Sequence, residues 1–172
     1  AQTAACTQVS QWRKSTTTEH YRALMERGTG YFDLKKFPAA EQDYDAALTL
    51  VPGDALAFAS RALTYNAQGG FARALHGLNE TITANPDNPV LLYVRALILK
   101  AHKMYTRAIE DHGRVIQALP DYADAYNGRA IAYTQSNQGE LALADYNKAI
   151  ALNPANAGYY NNRGIAYRML NQ

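Results

Sequence analysis

Pro52, Pro86, Pro120 and Pro154 recur at a fixed step of 34 residues, and Arg27, Arg61, Arg95, Arg129 and Arg163 keep the same step. A strict period in this range means that one small supersecondary unit is stacked on copies of itself. Such arrays bury their apolar faces on neighbouring units and offer long surfaces for contact, and they seldom carry reaction chemistry. The period therefore constrains both the fold and the class of function.

Between prolines each unit reads as two helices. In the fourth unit Tyr126, Ala130 and Tyr133 are spaced by four and three. A polar break at Ser136-Asn137-Gln138-Gly139 follows, and then a second periodic run at Leu141, Ala142, Ala149, Ile150 and Leu152. Steps of three and four put these side chains on one helix face. Pro154 stops the second helix, because it lacks an amide donor and disfavours helix in the residue before it. Asp54, Asn88 and Asn156 lie two residues past a proline, where a short acceptor side chain caps the next helix; at the third junction Asp121 is one residue early, so that cap is shifted or replaced. Thr16-Thr17-Thr18-Glu19 fits a capping box that opens the first helix. The expected helices are 19–35 and 38–50, 54–68 and 71–84, 88–102 and 105–118, 122–136 and 140–152, with a ninth at 156–170.

A helical hairpin of this length with a small residue, spaced aromatics, a recurring alanine and a closing proline resembles the tetratricopeptide repeat. The first unit supplies Leu24, Gly28, Tyr31, Ala40, Tyr44, Ala47 and Pro52; the fourth supplies Tyr126, Ala130, Tyr133, Ala142, Tyr146, Ala149 and Pro154. A half unit follows with Tyr160, Gly164 and Tyr167. The resemblance implies an all-α, right-handed α-solenoid of helix–turn–helix units. Residues 1–18 would form a tail before a repeat domain at 19–172. Its units would fall at about 21–54, 55–88, 89–122 and 123–156, with a half unit at 157–172 as a closing helix. Gly28, Ala62, Ala96, Ala130 and Gly164 fall where two helices approach most closely, so larger side chains would push the backbones apart.

The chain departs from the family pattern where arginine replaces leucine in every unit. Aspartates recur sixteen residues later on three second helices, giving the expected ion pairs Arg27 with Asp43, Arg95 with Asp111 and Arg129 with Asp145. A buried arginine needs such a partner. In the second unit Gly77 occupies the aspartate's place.

Catalytic and metal-binding patterns are not found. His20, His76, His102 and His112 form no His-Glu-x-x-His, and Cys6 is the single cysteine, which excludes an intrachain disulfide. His112 takes the slot filled by Tyr44 and Tyr146, which makes it a core residue. Gly69-Gly70 is a turn, since no strand precedes it. Asn79-Glu80-Thr81 matches a glycosylation acceptor by chance, in mid-helix. No enzyme activity, cofactor or metal is expected.

Composition narrows the partners. Hydrophobic content of 48% and charged content of 19% belong to a folded chain. A net charge of +2 does not favour nucleic acid. No apolar run approaches the ~20 residues that span a bilayer, so membrane insertion is not expected. The Ala-Gln-Thr-Ala start reads as a mature end left by signal-peptide removal, which favours an exported bacterial protein, although a trimmed cytoplasmic chain would start the same way.

The remaining function is protein binding. The resemblance implies that first helices line a groove. Helical spacing assigns to it Arg22, Met25, Thr29 and Phe32, then Leu56, Ala59, Leu63 and Asn66, then Val90, Tyr93, Leu97 and Lys100. Asp124, Asn127, Ile131 and Thr134 follow, then Asn161, Ile165 and Arg168. Tyr93 and Leu97 are the apolar anchors, and Asn127 and Asn161 hold a peptide backbone through donor and acceptor together. Some family members clamp the terminal carboxylate of chaperone tails with lysine, asparagine and arginine; the corresponding places here hold Met25, Thr29 and Ser60, so the clamp is not reproduced. The alternative is a structural module that self-associates as a homo-oligomer through the C-terminal helix, or the repeat fragment of a larger protein.

Overall fold

The computed structural model describes the backbone of residues 2–170 and the side chains of residues 16–170. Nine helices and no strand form among them: α1 (Gln2–Asp33), α2 (Phe37–Leu50), α3 (Ala55–Ala67), α4 (Phe71–Ala84), α5 (Pro89–Ala101), α6 (Tyr105–Ala118), α7 (Ala123–Gln135), α8 (Gly139–Leu152) and α9 (Ala157–Met169). The chain is an all-α helical repeat. Helices α2 to α9 differ from the sequence-derived boundaries by no more than one residue at either end.

The first helix is the exception. It begins at Gln2, so the expected tail at 1–18 is continuous with it and the Thr16–Glu19 box does not open a helix. The three threonines each cost only some tenths of a kcal/mol inside a helix, and no proline or glycine interrupts the run before Gly28.

Caps explain where the later first helices start. Asp54 accepts from the Ala57 amide at 2.7 Å, Asn88 from Val90 and Leu91, and Asn156 from Gly158. Asp121 makes no such cap; Tyr122 holds the N-cap position of α7 with no side-chain bond. The turns inside the hairpins share a second device, which the sequence hid. Lys35, Gly69, Lys103 and Asn137, again 34 residues apart, all take positive φ. The residue after each returns its amide to the carbonyl five back, from Lys36 to Tyr31 through to Gln138 to Tyr133, at 2.8–2.9 Å. These are Schellman closures, which satisfy otherwise orphaned carbonyls.

Two compact units divide the chain, Ala1–Thr81 and Ile82–Gln172. In the first, α2 packs on α1 and α3. Leu24, Met25, Ala40, Tyr44, Ala47 and Ala57 form its core. A Cβ at Gly28 would stand 2.8 Å from the Tyr44 ring, which shows why this position stays small. In the second unit α5 and α6, α7 and α8 pair as hairpins, and α9 packs on α8. Leu91, Leu92, Ile98 and Leu99 are almost wholly buried there, each contributing about 1.5–3 kcal/mol.

Candidate functional site

The repeated arginines set the frame of each hairpin. Arg129 donates from Nε and Nη2 to the two Asp145 oxygens at 2.7 and 2.8 Å. Arg95 makes the same fork with Asp111, and Arg27 with Asp43. Burial differs along the series: the Arg95 and Arg129 side chains are 15% and 22% exposed, whereas that of Arg27 is 60% exposed. Arg27 therefore does not turn into the core. Its partner Asp43 is buried, and the guanidinium lies over it from the solvent side. Arg61 and Arg163 break the pattern. They reach back sixteen residues, to Asp45 and Asn147.

His112 occupies the core slot anticipated for it, fully buried, with the Tyr93 ring edge-on at 5.6 Å. Its ring lies where a Cβ on Gly128 would be, 2.5 Å away, so Gly128 is glycine because the imidazole fills its side-chain space. Burial, with the nearby charges of Lys100 and Arg129, pushes its pKa down to about 3. Neither ring nitrogen meets a hydrogen-bond partner among the described residues.

In the first unit α1 and α3 flank an open cleft of about 340 Å³, lined by Met25, Glu26, Thr29, Leu56 and Ser60. Thr29 Oγ1 donates to the Met25 carbonyl, which orients it. Tyr21 closes on Asp54 at 2.6 Å, tying α1 to the start of α3, and burial together with that carboxylate pushes the phenol pKa up. Of the expected groove residues, Met25, Thr29 and Leu56 line the cleft, while Arg22, Leu63 and Asn66 do not. Arg22 is exposed, Leu63 and Asn66 are half-buried, and Ala59 is buried while Phe32 packs against the Leu24–Tyr44 core, so neither of these two faces a groove. Glu26 had no sequence signal of its own, because one exposed glutamate on a helix resembles any other.

In the second unit the first helices α5, α7 and α9 adjoin in order. Tyr93 is half-buried and stacks edge-on with Tyr122 at 5.2 Å; burial and that neighbour raise its pKa. It is thus held within a cluster instead of standing free as an anchor. Asn127 is also engaged, since its Oδ1 accepts from Asn162 Nδ2 at 3.0 Å. Asp124 accepts from Tyr159 at 2.5 Å, and burial with this bond pushes the Tyr159 pKa up to about 12. Thr134 is buried, donating to the Ala130 carbonyl, because its hydroxyl satisfies the helix and approaches Tyr146. Leu97, Lys100 and Ile131 are half-buried, and Asn161, Ile165 and Arg168 are exposed. Burial lowers the Lys100 pKa.

Among the described residues no group of three or more histidine, cysteine, aspartate or glutamate side chains could hold a metal ion. No helix among them is long and apolar enough to cross a membrane.

Stacked helical hairpins with one packing grammar define a helical-repeat protein. Tetratricopeptide repeat profiles match residues 13–55 and 59–123, and a further TPR repeat profile matches 132–171, so the chain belongs to the tetratricopeptide repeat family. It is similar in fold to a tetratricopeptide repeat protein from Parabacteroides merdae, at 19% identity and TM-score 0.71, covering 89% of this chain and 61% of that one. The chain thus spans about three fifths of that relative. PilF of Pseudomonas aeruginosa gives TM-score 0.80 at 17% identity, with 91% and 71% covered. The first TPR of Spaghetti (RPAP3), bound to the HSP90 peptide SRMEEVD, gives TM-score 0.64 at 26% identity, with 69% and 94% covered. No curated protein matches the chain.

Proposed function

We propose that this chain is a protein-interaction module that holds an extended or helical segment of a partner against its first helices. The observation that carries this reading is the mixed face of α5, α7 and α9. It combines Leu97 and Ile131, both half-buried, with the Lys100 amine and the exposed Asn161 amide. Apolar area supplies affinity by desolvation, and a few donors fix the register of the bound backbone. The peptide-bound repeat domain of RPAP3, similar in fold, supports the general reading.

The α1–α3 cleft of the first unit is a separate candidate contact for a partner side chain. Its wall is apolar at Met25 and Leu56, bears hydroxyls at Thr29 and Ser60, and carries one carboxylate, Glu26. An acidic peptide end is repelled there; an apolar side chain beside a basic one fits.

The test uses fluorescently labelled peptides selected on the purified chain from a display library. Leu97→Ser with Ile131→Ser should weaken the selected peptides by roughly tenfold or more with helical circular dichroism retained. Peptides that bind the double variant unchanged would remove this face from the site.

A further inference from the structure

The Arg61 guanidinium is posed as that of Arg129 is. It lies 5.1 and 5.8 Å from the Phe58 and Tyr65 rings, while Arg129 lies 5.9 Å from each of Tyr126 and Tyr133, which hold the same places two repeats later. Nη1 faces back in both. In Arg61 it donates to Asp45, and in Arg129 it stands 3.7 Å from where a Cβ on Gly113 would be. Nε and Nη2 form the forward edge. In Arg27, Arg95 and Arg129 that edge donates to both oxygens of an aspartate at 2.6–2.8 Å.

The forward edge of Arg61 meets no acceptor. Its Nε is buried without a hydrogen-bond partner, and Nη2 donates to nothing among the described residues. Gly77 stands where the aspartate would, and a Cβ there meets nothing within 4 Å. Glycine lacks the methylene and carboxylate of aspartate, which together make the body of an acetate ion. Two acids on α2 are committed elsewhere, Asp45 to Nη1 and Glu41 to Arg73, whose guanidinium lies 3.8 Å from the Tyr65 ring and adds a second positive charge.

We propose that the Nε–Nη2 edge of Arg61 is a binding site for a carboxylate brought from outside the hairpin, which enters over Gly77 and is held as the aspartates are held in the other repeats. A planar two-oxygen anion matches this edge with two parallel charge-assisted bonds. The buried Nε has already given up its hydration, so the anion satisfies a donor that otherwise stays unpaired. The single bond to Asp45, whose side chain is half exposed, leaves the forward edge free to act. Two sources share this chemistry, a small free carboxylate and an aspartate side chain on a bound protein. The site lies on α3 and α4 and does not rest on the face of α5, α7 and α9.

The probe is acetate, titrated into the chain at neutral pH and constant ionic strength with chloride as the balancing anion. Proton–nitrogen NMR follows the Arg61 Nε–Hε signal, and a melting curve is taken at each concentration. A saturable shift of that signal is expected, with the melting temperature raised by about 2–4 °C near saturation. Gly77→Asp supplies the carboxylate from within the chain and should abolish both responses. Arg61→Met should abolish the rise in melting temperature, and it decides alone if Gly77→Asp does not fold. The end-capped tripeptide Gly-Asp-Gly, whose one carboxylate is its side chain, separates the sources. Binding within about tenfold of acetate assigns the site to protein side chains, and binding of acetate alone assigns it to small anions. A response that grows without saturating, or that survives in Gly77→Asp or Arg61→Met, would overturn the proposal.

Discussion

Arg61 reaches back sixteen residues to Asp45, Nη1 to Oδ1 at 2.6 Å, while its Nε is buried without a hydrogen-bond partner. In Arg27, Arg95 and Arg129 that same nitrogen donates to the aspartate sixteen residues ahead. The second unit has Gly77 in that place. A missing carboxylate thus accounts both for the reversed partner and for the orphaned donor.

Gly77→Asp should therefore stabilise the chain. It replaces a helical glycine with open space around it and offers the Nε a charged acceptor. The gain is about 1–2 kcal/mol from the satisfied donor and the lost backbone freedom. Urea unfolding that shows no rise in midpoint would refute this account of Arg61.

The three forward pairs should differ in strength according to burial. Arg95→Ala leaves Asp111 buried and unpaired, with a loss of roughly 3 kcal/mol, near the lower end for breaking a buried pair. Arg129→Ala should cost slightly less, and Arg27→Ala least, because solvent already screens that guanidinium. Denaturation midpoints in any other order would show that exposure does not govern these pairs.

Two turns hold lysine where the backbone favours glycine. Lys35 and Lys103 sit at φ of 57° and 61°. A side chain there costs roughly 1–2 kcal/mol, partly offset by the greater freedom glycine loses on folding. Lys103→Gly is expected to raise stability by about 0.5–1 kcal/mol, read as a higher melting temperature; a fall would mean that the lysine stem packs usefully.

His112 gives the chain an acid sensitivity of defined sign. Its folded pKa of about 3 lies below the ordinary value of about 6.5, so the unfolded chain takes up the proton first. The stability tied to the neutral ring is complete above about pH 6.5 and is lost progressively as pH falls toward 3. His112→Leu, which copies Leu78 in the same slot, should flatten the dependence of melting temperature on pH between about 4 and 6.5. Parallel profiles for the two proteins would exclude His112 as the source.

What the 34-residue step determined was local: where helices start and stop, which faces are apolar, and which small residues mark close approach. Those follow from spacing along one chain, because a proline, a capping asparagine or a 3.6-residue period acts within a few residues. Contacts between helices depended on the packed structure. It gave Asn127 to Asn162 and Tyr93 to a cluster of rings, and left Arg27 in solvent. It also placed lysines in the left-handed turns and folded Arg61 and Arg163 backward. A side chain with two neighbours in reach takes the partner that geometry and charge favour, and only the arrangement in space brings both within its grasp.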